Sequence, residues 1–74
     1  MLKDKINYML AISGKKKNKL AQKLGISESR LYQNFANNTM RLQTLLALVK
    51  ETNSELIIRH ESGVEIPITL DDVN

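Results

Sequence analysis

The chain offers little of the chemistry that enzymes use. It has no cysteine, so thiolate nucleophiles, disulfides and thiolate zinc sites are excluded. Its one histidine, His60, has no second ligand in view, and packing against neighbours is the expected role for it. No P-loop or Gly-rich dinucleotide turn occurs, and Gly14-Lys15 lacks the glycine spacing that cradles phosphate. Neither an enzyme nor a cofactor or metal site is expected. What remains is cationic and amide chemistry, and it is unevenly placed. Residues 1–41 carry nine Lys and Arg against two acids, and residues 42–74 carry two against six. The overall charge of +3 is therefore a surplus of seven joined to a deficit of four. A basic half of this kind suggests a surface for a polyanion, with assembly assigned to the other half.

The elements that must position these charges can be read from periodicity. Leu2, Ile6, Met9 and Leu10 predict an amphipathic helix over 2–12, stopped at Ser13-Gly14. A second helix is expected from Lys17 to Leu24, with Leu20, Ala21 and Leu24 inward and Gly25 ending it. Ile26 should turn back into the core. Ser27 can cap a third helix through its hydroxyl, with Glu28 at the positive end of the helix dipole and Leu31 and Phe35 inward. A polar connector, Ala36 to Thr39, leads to a fourth helix marked by Leu42, Leu45, Leu46 and Val49 and ending near Thr52-Asn53. Leu48 widens that helix's apolar stripe. It is either one more buried leucine or a contact to a second element or subunit.

After Ser54 the period becomes two. Leu56, Ile58 and His60 alternate with Ile57 and Arg59, and Val64, Ile66, Ile68 and Leu70 alternate with Glu65, Pro67 and Thr69. A three-residue turn, Glu61-Ser62-Gly63, pairs His60 with Val64, Ile58 with Ile66 and Leu56 with Ile68. Only this register gathers the apolar residues on one face and sets Arg59 opposite Glu65. It leaves Pro67 in a non-hydrogen-bonded pair, where the missing N–H would have faced outward and blunts that edge. His60 is then expected on the apolar face, partly buried.

The run Lys17-Asn18-Lys19-Leu20-Ala21-Gln22-Lys23-Leu24-Gly25-Ile26-Ser27-Glu28-Ser29-Arg30-Leu31 resembles the helix-turn-helix of the phage-repressor-like (XRE, lambda-repressor-type) family. Leu20 and Leu24 match the inward pair, Ala21 the small crossing residue, Gly25 the turn, Ile26 its plug and Leu31 the recognition-helix anchor. The resemblance covers about residues 2–53. It departs from the family at Asn34, where an apolar residue is usual and Phe35 is expected to serve instead. The terminal hairpin is similar to the β extensions of short repressor and antitoxin members.

The resemblance implies a mainly α fold, a lambda-repressor-like four-helix DNA-binding domain with a C-terminal β-hairpin. Residues 1–53 would form the DNA-binding part and 54–74 a dimerisation extension of the same compact domain. It implies a homodimeric transcriptional repressor that reads a near-palindromic operator in double-stranded DNA. Glu28, Ser29, Arg30 and Gln33 would face base edges, where Gln suits adenine, Arg guanine and Glu a cytosine amino group. Glu28 has two other readings, as a charge that repels phosphate at wrong sites and as a helix-start residue. Lys17, Ser27, Asn37, Asn38, Thr39 and Arg41 would face phosphates, though a solvated lysine run, a cap and plain turn chemistry remain the alternatives. Tyr32 would stack on a sugar or cover the core. Leu56, Ile57, Ile58, Ile66 and Ile68, with Leu48, would form the dimer interface. The rival is an antitoxin, or a phage-encoded inhibitor of a host defence protein, whose DNA binding is autoregulatory. With no apolar run near 18 residues, and Lys3, Asp4, Lys5 and Asn7 interrupting the start, no membrane span or signal core is expected and the cytoplasm is the expected location.

Overall fold

A computed structural model describes residues 1–73, so the last residue of the expected 54–74 extension lies outside the described residues. Four helices come first: α1 (Leu2–Ser13), α2 (Lys17–Leu24), α3 (Glu28–Ala36) and α4 (Leu42–Glu51). Two antiparallel strands follow, β1 (Leu56–Arg59) and β2 (Glu65–Ile68), and then a short 3-10 helix, Leu70–Asp72. Among the described residues no helix is long and apolar enough to cross a membrane.

The helices converge on one cluster. Ile6 and Leu10 of α1, Leu20 and Ala21 of α2, Leu31 and Phe35 of α3 and Leu48 of α4 are all buried in it. Leu2, Met9, Leu24, Ile26, Met40 and Leu45 close its rim. Each fully buried Leu or Phe contributes about 1.5–3 kcal/mol of transfer free energy. Phe35 does take the anchoring place beside Leu31, and both are completely inaccessible to solvent.

Three of the helices stop by one device. At the end of α2, Gly25 has φ +73°, its N–H bonds the Gln22 carbonyl, and the Ile26 N–H bonds the Ala21 carbonyl. This paired closure satisfies two orphan carbonyls and needs a left-handed residue. Nothing lies where a Cβ of Gly25 would stand, so glycine serves the dihedral and not the space. The same pair of bonds ends α3 around Asn38 (φ 54°) and α4 around Asn53 (φ 55°). Asparagine is the side-chain-bearing residue that best tolerates this conformation.

The fourth helix uses its wide apolar stripe twice. Leu45 and Leu48 face the helical cluster, while the buried Leu46 and Val49 line a cleft under the hairpin base with Leu56, Ile68 and Leu70. Leu48 is 0% exposed within the single chain. Its expected part in a dimer interface is therefore corrected: it is a core residue. The second element that α4 touches is the 3-10 helix.

The hairpin has the expected register, Leu56 with Ile68, Ile57 with Pro67, Ile58 with Ile66 and Arg59 with Glu65. The His60 N–H bonds the Val64 carbonyl at 2.9 Å, and Gly63 closes the turn at φ +95°. Two expectations fail. His60 is exposed, because the hairpin tip extends past the helices, and its Nδ1 sits 2.9 Å from the Ser62 hydroxyl. The second strand stops at Ile68 instead of running to Leu70. The Thr69 N–H bonds the Asp72 carboxylate at 2.8 Å, which starts the 3-10 helix and turns Leu70 toward α4. Thr69-Leu70-Asp71-Asp72 has the spacing of a capped helix start, a signal that the alternating pattern masked.

Candidate nucleic-acid interface

An α-helix turns about 100° per residue, so burying Leu31 and Phe35 dictates what α3 shows to solvent. Gln33 and Ser29 fall on the opposite side, and both are exposed. Glu28 and Tyr32 flank them on one side and Arg30 on the other, also exposed. Asn34 is half-buried at the margin. The face is polar along its length, and among the described residues no other element covers it.

Cations border it on both sides. On one, Lys17 lines a shallow depression with Glu28, Ser29, Tyr32 and Gln33. The Lys17 ammonium lies 5.6 Å from the centre of the Tyr32 ring and 5.9 Å from that of Phe35. Cation–π attraction of this kind holds the charge beside α3 while leaving its N–H donors available. Tyr32 is half exposed, so it supports Lys17 and does not seal the core. Lys17 is also the first residue of α2, and Lys16 before it provides no side-chain cap. Asn18 Oδ1 accepts the Lys19 N–H at 2.9 Å, so it is the N–H groups of Lys17 and Asn18, with the positive end of the helix dipole, that lie beside the lysine and suit an anion.

On the other side, Arg30, Asn34, Thr39, Arg41 and Thr44 line a second depression. Spacing alone did not single out Thr44 or assign Asn34 to this border. The Ser27 hydroxyl accepts the Arg30 N–H at 3.1 Å, so the capping role is real; its own proton is left to donate. Among the described residues Glu28 makes no ion pair.

The loop after α3 is partly committed to structure. Asn38 Oδ1 accepts the Leu2 N–H at 3.0 Å, tying the connector to the start of α1. Asn37 and Thr39 give their N–H groups to carbonyls of α3. For Asn38 the turn chemistry operates, and its amide nitrogen remains to donate to a ligand. Farther back, Lys15, Lys16, Lys19 and Lys23 gather at the junction of α1 and α2. Lys23 is bound to Glu51 of α4 at 3.1 Å, which links α2 to α4 and removes one charge from the patch.

The expected assembly residues divide. Leu56 and Ile68 are half-buried on α4, whereas Ile57, Ile58 and Ile66 stand exposed. Ile58 is 54% and Ile66 51% accessible, and Val64, outside the expected set, is 57%. The alternation that placed Ile58 and Ile66 on one face could have included Val64. No family model matches this chain, and searches of curated proteins and of solved structures found no match either.

Proposed function

We propose that this protein binds double-stranded DNA in a sequence-dependent manner, inserting α3 into the major groove as the second helix of a helix-turn-helix. The carrying observation is the α3 face, with Ser29 and Gln33 at its centre, Arg30 beside them, and Lys17 and Arg41 on its two borders. The major groove is about 12 Å wide and admits one helix, with base edges ahead of it and phosphates on both sides. Amides and hydroxyls in the middle and cations at the margins match that pattern. In this reading Gln33, Ser29, Arg30 and Glu28 face bases, and Lys17, Ser27, Thr39 and Arg41 face phosphates. Asn37 and the Asn38 amide are secondary contacts.

The chain acts as a homodimer joined through its hairpin, and so as a repressor at a near-palindromic site. Two recognition helices would then lie roughly 34 Å apart, one turn of duplex. The exposed Ile58, Val64 and Ile66 support an assembly role for the hairpin. They equally support the rival, a partner protein such as a toxin or a host defence protein.

Selection of bound sites from random duplexes by the purified protein tests the proposal. Enrichment of a sequence with two related half-sites is the expected result. Recovery of random sequence, with binding that merely tracks salt, would reduce the protein to a non-specific polyanion binder.

A further inference from the structure

We infer that two copies of this chain join edge to edge through β1, antiparallel, with Ile57 on the twofold axis and Glu55 of each copy opposite Arg59 of the other. This deepens the dimer proposed above and is independent of what α3 binds.

The hairpin has two outer edges and they are unequal. Because His60 bonds Val64, alternation turns the N–H groups of Ile58 and Leu56 toward β2 and those of Ile57 and Arg59 outward. On β2 the outward positions are Glu65 and Pro67, and Pro67 has no N–H to give. The β2 edge is blunted at its middle, while the β1 edge is open. A two-stranded hairpin is marginal in water and gains from added strands. Its free edge is the natural place for them.

Twofold symmetry leaves few registers for β1 against its copy, and side-chain chemistry separates them. Centring on Arg59 sets Arg59 against Arg59. Centring on Ile58 sets Ile57 against Arg59 and Glu55 against Glu61. Centring on Leu56 draws in Asn53, whose N–H is already held by the Lys50 carbonyl. Centring on Ile57 sets Ile57 against Ile57 and Glu55 against Arg59 on one face, and Leu56 against Ile58 on the other. Between Glu55 and Arg59 the pairs in that register are apolar with apolar or acid with base, the combinations that stabilise cross-strand neighbours, and the pairs beyond them, Ser54 with His60 and Asn53 with Glu61, oppose no like charges.

The same register answers the exposure of Ile58. A twofold axis perpendicular to the sheet keeps both apolar faces on one side, so Ile58 comes beside the Leu56 of the second copy, which rests over that copy's α4. Arg59 already binds Glu65 within the hairpin at 2.8 Å, and its guanidinium can serve Glu55 from the second copy as well. The result is a four-stranded sheet in the order β2-β1-β1-β2.

Cysteine scanning tests this directly, since the chain contains none of its own. Four single variants are made in the full chain, Ile57→Cys, Ile58→Cys, Arg59→Cys and Val64→Cys, and oxidised mildly with copper phenanthroline. Directly opposed residues in a hydrogen-bonded pair stand about 5.5 Å apart at Cα, within disulfide reach. The expected result is that Ile57→Cys becomes a covalent dimer and the other three cross-link at least tenfold more slowly. Faster cross-linking of Ile58→Cys or Arg59→Cys overturns the register, and of Val64→Cys shows hairpin tips packed face to face. Sedimentation of the unsubstituted chain separates the two levels. A dimer in which Ile57→Cys fails to link overturns this arrangement alone, and a monomer overturns the dimer itself.

Discussion

The α3 face and the hairpin tip are both open to solvent, but they are open in different ways. On α3 the backbone satisfies itself inside the helix, and the exposed side chains Ser29, Arg30, Tyr32 and Gln33 are mostly polar. Such a surface is at ease in water and can wait for a ligand. At the hairpin tip, Ile58, Val64 and Ile66 are apolar and more than half exposed, and the β1 edge carries unpaired outward backbone groups. That surface is costly in water and is better explained by a companion that stays. Under the proposed function the first surface would read DNA and the second would join two copies, and the charge division of the sequence runs parallel to that contrast.

The contrast can be broken from either side. The largest effect is expected at the common support: Phe35→Ala removes the anchor beneath the whole α3 face and should cost about 3–5 kcal/mol. A domain of this size holds only a few kcal/mol, so loss of the cooperative thermal transition by circular dichroism is the expected outcome. A persistent sharp transition would show that α3 does not depend on that ring. Gln33→Ala touches reading alone. It should cost about 1–3 kcal/mol on the selected site and relax preference there, with stability unchanged. Unaltered preference would remove Gln33 from the groove.

Asn38→Ala sharpens the point that the connector is structural. Losing a left-handed residue and the bond to Leu2 should lower stability by roughly 1–2 kcal/mol, with Asn38→Gly recovering the part due to backbone strain. Equal loss in both variants would assign the whole effect to the Leu2 bond. The smallest effect belongs to Lys17→Ala, which should weaken every duplex alike and flatten the salt slope by about 0.9, one phosphate contact. A sequence-selective loss would instead move Lys17 toward the bases. Deleting residues 54–73 is a poorer test of assembly than point changes at the tip, since it would also uncover Leu46 and Val49.

Much of this molecule was legible in its residues because the deciding forces are local. Helical spacing placed all four helices, and Gly14 and Gly25 ended two of them at left-handed positions. Pairing chemistry around Arg59, Glu65 and Pro67 specified the hairpin register before any contact was known. The polar composition of the α3 face was equally plain from Leu31 and Phe35, since one buried side of a helix defines the other. Which neighbour each apolar face meets is a non-local matter, and only the tertiary structure decided it. It sent Leu48 into the helical core and Leu46 beneath the hairpin, left His60 in solvent, and bound Asn38 to the distant start of α1. Periodicity states that a face must be covered, but packing of elements far apart in the chain determines what covers it.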